Sequence, residues 1–347
     1  MKKYWSEKAR GLTPYTAGEQ PKRQCIKLNT NENAYGPSPT VLSAITEAAR
    51  SLRLYPAPDS GGLRQAAAAC HGVTEGQVFC ANGSDEALAF CFQAFFDPSV
   101  PVKTMDVTYS FYPVWAKLFG LTLEEIPLLP DFTADVAGLS GGGSVVIANP
   151  NAPTGIALPL AQVEEIVKRT SGIVIVDEAY AAFGAQSAVP LIARYDNLVV
   201  VRTLSKSHSL AGLRVGYVLA HENLISALNT IKDSFNSYPL DRLAQAGAAA
   251  ALSDTAYYEA ATAKIIATRE YTVAEFEKRG FTVLPSSANF IFVRFMDAEG
   301  TAAALRSHGI LVRYFPGGRT KDFLRVTIGT AEQMNELFTA LEELKCR

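Results

Sequence analysis

The strongest constraint on how this chain can fold is an alternation. Between residues 77 and 220, seven short β-rich runs (QVFCAN, VKTMDV, TLEEIPL, SVVIANP, GIVIVDEA, LVVVRTL and RVGYVLA) are separated by helical stretches, and the helical run VLSAITEAARSL precedes them. Strands that alternate with helices pair in parallel, because each helix returns the chain to the same edge of the sheet, and helices then cover both faces. Continuous apolar runs such as IVIV and LVVV suit strands buried on both faces. The pattern predicts an α/β fold, with a large domain over residues 41–242 built on a seven-stranded, mostly parallel sheet between helices.

The flanks read differently. Residues 1–40 are rich in Pro, Asn, Tyr and Gly and follow neither period, so they read as an irregular arm that joins a small domain and can reach a partner subunit. Residues 243–278, dominated by Ala, Glu, Lys and Tyr, read as a long helical connection. In residues 279–347, FTVLP, ANFIFVRF, ILVRYF and FLRVTIG alternate as strands with the helices TAAALRSHG and AEQMNELFTALEELK, which predicts a smaller α+β domain. A length of 347 residues with 48% hydrophobic and 19% charged content suffices for two cores. A net charge of −2 gives no general attraction to nucleic acid or anionic membranes, so any anion specificity must come from individual arginines. The five cysteines (Cys25, Cys70, Cys80, Cys91 and Cys346) match neither a C-x-x-C redox pair nor a zinc knuckle, which predicts no metal site and a reducing, cytoplasmic compartment. No apolar stretch follows the charged MKKYWSEKAR, and the small-residue run from Ala244 to Leu252 is too short to span a bilayer, so neither a secretion signal nor a membrane segment is expected.

Chemistry is expected where buried strands end, since ligands of open α/β sheets bind at the carboxyl ends. Four β-branched residues, Ile173 to Val176, lead into Asp177, which either caps the following turn or faces a ligand. A second buried strand ends in Thr203, Ser205 and Lys206, with Arg214 eight residues beyond the lysine. A lysine just past a strand is commonly a solvated surface group. A lysine amine in a partly desolvated pocket instead attacks aldehydes and later shuttles the proton, and neighbouring hydroxyls with a guanidinium suit a phosphate dianion. In CANGSDEALAF, Gly83, Ser84 and Asp85 lie between a strand and a helix, either as an N-cap turn or as backbone donors to phosphate. Gly141, Gly142 and Gly143 precede a strand and read as a loop, not a dinucleotide cradle. Tyr109 can pack or stack on a flat heterocycle, and Asn151 can close a turn or donate to a phenolate oxygen.

These pieces resemble the fold type I aminotransferases, and within them the histidinol-phosphate aminotransferase branch. The resemblance runs over nearly the whole chain in ten segments kept in the family's order and spacing: RGLTPYTAG, LNTNENAYGPSP, YPAPDSGGLR, NGSDEAL, NPNAPTG, VDEAY, TLSKSHSLAGLR, ANFIFVR, VRYF and FLRVTIGT. It implies pyridoxal 5'-phosphate as cofactor, with Lys206 as its Schiff-base lysine and Asp177 as partner of the ring nitrogen, where a carboxylate keeps the ring cationic. It also implies that Tyr180 and Asn151 hydrogen-bond the phenolic oxygen and that Tyr109 stacks on the ring. Ser84 and Asp85 through their backbone, with Ser205 and Arg214, would hold the phosphate, and Gly83 and Thr203 complete the cofactor-binding set. Tyr55 looks like the tyrosine that reaches the cofactor phosphate of the other subunit, which implies a homodimer with shared active sites. Arg325, helped by Arg313 and Tyr15, resembles the group that binds the substrate's anionic end, and Asn33 is expected to face the substrate as well. The implied substrates are histidinol phosphate and 2-oxoglutarate, giving imidazole acetol phosphate and glutamate in histidine biosynthesis.

The chain departs from the family pattern at Ala152, where a second Asn is common, at His208, where an aromatic residue often stands, and at a loop with Gly317 and Gly318. These changes bear on substrate preference more than on reaction type. An aromatic amino-acid aminotransferase and a threonine-phosphate decarboxylase are the rival readings on the same scaffold. A non-catalytic binding or regulatory protein is disfavoured by the intact Lys206, Asp177, Arg214 and Arg325, and no nucleic-acid-binding segment is appended. A nicotinamide-dependent oxidoreductase is disfavoured because no strand leads through G-x-G-x-x-G into a helix.

Overall fold

The computed structural model of the chain describes residues 3–21 and 24–345, so Cys346 lies outside the described residues. The seven runs expected as strands form one sheet. After β1 (Ile26–Lys27) in the arm come β2 (Val78–Ala81), β3 (Val102–Met105), β4 (Leu123–Ile126), β5 (Ser144–Ala148), β6 (Val174–Asp177), β7 (Leu198–Thr203) and β8 (Gly216–Ala220). Strands β2 to β8 are ordered β2-β8-β7-β6-β5-β3-β4. Strands β3 to β7 pair in parallel, while β8 runs antiparallel to both β7 and β2.

The two-residue period of a strand divides this sheet into two cores. Val145, Ile147, Val174 and Val176 face one layer, where they meet Val163, Ile166 and Val167 of the helix Leu160–Arg169. Val146, Ala148, Ile175 and Val199 face the other, where Phe90, Phe92, Tyr112 and Trp115 cover them. Burial on both faces is why these strands carry no polar alternation, and the parallel register sets Ala148, Asp177 and Val201 side by side at the carboxyl edge.

The stretch expected as one long helical connection is two helices, Arg242–Ser253 and Thr255–Lys278, interrupted at Asp254. Ser253, Asp254 and Thr255 all favour local side-chain hydrogen bonds over helix continuation, so the break falls at the weakest helix-forming triplet of the segment. The first helix packs Ala244, Ala248 and Ala251 into the core of the large sheet, and the second contributes Ile265 and Phe276 to the core of the smaller unit.

In that smaller unit, β9 (Thr282–Val283), β10 (Phe290–Arg294), β12 (Arg313–Tyr314) and β13 (Phe323–Thr327) form an antiparallel sheet ordered β12-β13-β10-β9. ILVRYF was expected to be one strand and is two. Its first half, β11 (Ile310–Leu311), pairs in parallel with β1 of the arm, and the chain then crosses at Val312 to pair β12 with β13. The crossing buries Ile310 and Leu311 while turning Arg313 toward Arg325, its register partner. Apart from β1, the arm is irregular as expected up to the helix Pro39–Ala49, except for a short helix, Glu7–Gly11, that Ser6 caps. No helix among the described residues is long and apolar enough to cross a membrane.

Arg269 of the second helix is buried and its Nη1 donates to the carbonyls of Phe183, at 2.8 Å, and Ala288, at 2.9 Å. It thereby ties the turn beyond β6 to the entry of β10. Replacing it by Met leaves both carbonyls unpaired, and Arg269→Met is expected to lower stability by about 2 to 4 kcal/mol in urea denaturation.

Candidate active site

The last residue of β6, Asp177, is buried, and its carboxyl oxygens accept from Ala179 N at 3.2 Å and from the Tyr112 hydroxyl at 3.1 Å. Burial pushes this carboxyl up to about 7, against the pull of those two hydrogen bonds, and the negative charges of Asp85 and Glu178 push the same way. No Lys or Arg pairs with it among the described residues. The next residue, Glu178, forms a buried ion pair with Arg202 of β7 at 2.5 Å, which clamps the ends of β6 and β7 together.

Beyond β7, Lys206 extends its Nζ to the carbonyl of Thr30 at 3.1 Å and lies 5.8 Å from the ring centre of Tyr180. The Tyr180 hydroxyl accepts from Asn31 Nδ2 at 3.0 Å. Asn33, expected to face the substrate, does not line the cavity. Its amide donates to the carbonyls of Lys206 at 2.9 Å and Ser207 at 3.3 Å, and its Oδ1 accepts from Tyr35 N, so it sets the lysine's backbone instead. Asn31 takes the place at the cavity wall, in a left-handed conformation with φ 57° that asparagine tolerates. Asn151 also turns away. Its amide donates to Val107 O and Thr154 Oγ1 and its oxygen accepts from Thr108 Oγ1, which leaves Ala152 and Pro153 at the wall.

Groups that suit an anion gather at the start of the helix Gly83–Phe95. Gly83 has φ +85°, and a Cβ there would come within 2.6 Å of Arg214 Nη2. A Cβ on Gly216 would lie 2.4 Å from Gly83 C and Ser84 N, so glycine at both positions lets β8 and the guanidinium close on the helix N-terminus. Arg214 Nη1 reaches Ser205 Oγ at 3.4 Å, and Thr203 Oγ1 donates to the same oxygen at 3.0 Å. Arg214 Nη2 pairs with Asp85 Oδ2 at 3.2 Å, while Asp85 Oδ1 accepts from the Tyr109 hydroxyl at 2.9 Å. Backbone N–H groups, hydroxyls and a guanidinium thus converge where a phosphate dianion is bound best.

The smaller unit supplies a second cationic cluster. Arg313 and Arg325 sit directly opposite each other across β12 and β13, a placement that repels unless an anion bridges them. Arg325 Nη2 donates to Asn29 O at 2.9 Å, its buried Nε has no partner among the described residues, and burial lowers its pKa. Its guanidinium lies 5.3 Å from the ring centre of Phe290 and 5.4 Å from that of Phe315. Tyr15 of the arm stacks on Phe111 at 4.7 Å beside this cluster and lines the same cavity.

The cavity has a volume of about 320 Å³, within the range of small-molecule sites. Twelve of the sixteen residues expected in the site border it: Tyr15, Ser84, Asp85, Tyr109, Asp177, Tyr180, Thr203, Ser205, Lys206, Arg214, Arg313 and Arg325. Gly83, Asn33, Asn151 and Tyr55 do not. Tyr55 is exposed and stacks on Tyr238 at 5.0 Å. Asn31, Gln20 and Phe315 border the cavity and were not anticipated.

A lysine and a buried carboxylate just beyond neighbouring strands, with arginines of both units around one cavity, are the arrangement of a fold type I aminotransferase. Residues 23–341 match the family Aminotransferase class I and II, and the chain belongs to that family. Among its relatives, histidinol-phosphate aminotransferase 2 of Rhizobium meliloti is 51% identical over 99% of this chain and 100% of its own length. Histidinol-phosphate aminotransferase 2 of Thiobacillus denitrificans is 52% identical over 99% and 98%. The solved histidinol-phosphate aminotransferase of Sinorhizobium meliloti in complex with pyridoxal-5'-phosphate superposes with a TM-score of 0.86 at 26% identity, over 98% of this chain and 97% of that one. An aspartate aminotransferase from Thermus thermophilus with maleate, at 21% identity and a TM-score of 0.78 over 91% of each chain, shares the fold.

A carboxyl raised above its unfolded value stabilises the fold below the unfolded value and loses that contribution as pH rises through the folded one. The cofactor-free chain is therefore expected to lose stability between about pH 4 and about pH 7 through Asp177, and the rise from 3.8 to about 7 corresponds to about 4 kcal/mol. Urea denaturation of the parent and Asp177→Asn chains at both ends of that window tests this, since the variant should be the more stable one only at the upper end.

Proposed function

We propose that this chain transfers the amino group of histidinol phosphate to 2-oxoglutarate, with pyridoxal 5'-phosphate as cofactor. The observation that carries the substrate reading is the facing pair Arg313 and Arg325, one of them with an unpaired buried donor, in the same cavity as Lys206. The two relatives that are 51% and 52% identical bear the name of this activity.

The residues fit the cofactor. The glycine-lined helix N-terminus with Ser205 and Arg214 suits its phosphate, and the buried Asp177, which no Lys or Arg meets among the described residues, suits a protonated ring nitrogen. When bound, the group supplies an aldehyde carbon for amines and a cationic ring that draws electrons from the substrate's Cα. Asp177 would hold a proton on the cofactor's ring nitrogen. Tyr180, fixed by Asn31, would hold the cofactor's phenolic oxygen. Tyr109, tied to Asp85, would pack against the cofactor. Lys206 Nζ would hold the aldehyde carbon and, once free, would move the proton at the substrate's Cα. Arg325 and Arg313 bind the phosphate of one substrate and the distal carboxylate of the other.

The reading includes a homodimer in a reducing cytoplasm. Tyr55 is 80% exposed, with Leu52, Leu54, Phe235 and Tyr238 also exposed, which suits a face covered by a second copy, and Cys25, Cys70, Cys80 and Cys91 are free thiols. Tyr55 then reaches the partner's cofactor phosphate.

Lys206→Ala is expected to abolish turnover, and borohydride treatment should leave no cofactor mass on the chain; an adduct at another lysine would show the assignment to be wrong. Mixing Lys206→Ala with Tyr55→Ala chains should restore activity, because the mixed dimer rebuilds one whole site, whereas no restoration would argue against shared sites. In single-turnover absorbance, Arg325→Ala is expected to slow both half-reactions at least about tenfold and Arg313→Ala mainly that of histidinol phosphate. Equal losses for both variants on both substrates would refute this division, and a parent chain that reacts only with phenylalanine would move the substrate to aromatic amino acids.

A further inference from the structure

The segment VTYSFYP carries two tyrosines, and the cofactor reading above uses only Tyr109. The second, Tyr112, is fully buried at the start of the helix Tyr112–Phe119. Its ring is fixed between Phe92, at 6.4 Å, Tyr109, edge-on at 5.6 Å, and Trp115, at 6.2 Å. A buried hydroxyl requires an acceptor, and this one has the carboxylate of Asp177 at 3.1 Å. With Ala179 N on the other oxygen, the carboxylate is gripped from two sides in one orientation.

We infer that Tyr112 is a positioning residue that holds Asp177 in place and keeps its carboxyl charged, so that the proton shared with the cofactor resides on the ring nitrogen. The inference rests on the reading of the cofactor as pyridoxal phosphate. The charged and titratable groups around Asp177 are Asp85 from the helix Gly83–Phe95, Glu178 with its partner Arg202 of β7, and Tyr109, Tyr180 and Lys206 across the cavity. Asp85 and Glu178 disfavour the charged carboxylate, and the phenol of Tyr112 is the leading side-chain group that favours it. The phenol itself stays protonated, since burial raises it far above its ordinary range. It therefore acts as a donor at every working pH. Removing the donor makes Asp177 the more basic partner and draws the shared proton away from the ring.

The test is Tyr112→Phe in the full chain, with Trp115→Phe as a change that repacks the same aromatic cluster without touching Asp177. Carbon-13 resonances of the aspartate carboxyls, titrated in cofactor-free protein, should place the midpoint of Asp177 about one unit higher in Tyr112→Phe and leave it in place in Trp115→Phe. With pyridoxal phosphate, Tyr112→Phe should bind about tenfold more weakly by fluorescence titration, and the nitrogen-15 resonance of the ring should move toward that of neutral pyridine. A midpoint that is unchanged in Tyr112→Phe, or that moves equally in both variants, overturns the inference, as does an unmoved ring resonance. Should Tyr112→Phe not fold, Tyr112→Leu lacks the donor equally and is read in the same way. If the parent chain fails to bind pyridoxal phosphate, the cofactor reading fails, while the carboxyl titration still decides whether Tyr112 governs Asp177.

Discussion

A carboxylate buried at the end of a parallel strand is a liability unless something cationic comes to it, and the site is arranged around that condition at Asp177. Burial raises its pKa, and the neighbouring charges of Asp85 and Glu178 add to the penalty. The fold accepts this because β6 is locked between β5 and β7 in register, with Glu178 pinned to Arg202 immediately beyond. A buried pair of that kind is weak evidence for stability, but it fixes the relative position of two strand ends. Those ends carry Asp177 and, a few residues on, Lys206. Ladder hydrogen bonds and one ion pair thus fix the two strand ends, and Asn33 holds the backbone of the turn that carries Lys206.

The same logic of stored electrostatic demand recurs in the smaller unit with the opposite sign. Two arginines face each other across an antiparallel pair, and one keeps a buried N–H without an acceptor among the described residues. The Asp177 carboxylate and the two facing arginines thus place opposite charges at two ends of one cavity, with the aromatic rings of Tyr15 and Phe315 lining the wall near the arginines.

The large sheet was legible because period and length both speak for buried strands, and each of the seven runs lies in it. Asp177, Lys206, Arg214 and Arg325 were legible through their positions at strand ends or within matched segments, and all four border the cavity. What the sequence hid were choices between like residues a few positions apart. Asn31 and Asn33 share one loop, and only the left-handed backbone at Asn31 decides which amide reaches the cavity. Tyr109 and Tyr112 share another, and the helix start decides which phenol reaches Asp177. Asn151 was drawn away by Val107, Thr108 and Thr154, contacts that local sequence does not announce. The split of ILVRYF was equally hidden, because a strand that changes sheets midway keeps the same alternation as one that does not.

That change of sheets has a consequence for how the molecule is made. The cavity residues from Ser84 to Arg214 all lie in the middle of the chain, whereas the opposite wall joins Tyr15, Asn29 and Asn31 to Arg313 and Arg325, with β1 held by β11. During synthesis from the amino terminus the large sheet can assemble while the arm still waits for its partner strand. The wall of the cavity on the side of the smaller unit is therefore the last part to form, at the moment when β1 meets β11.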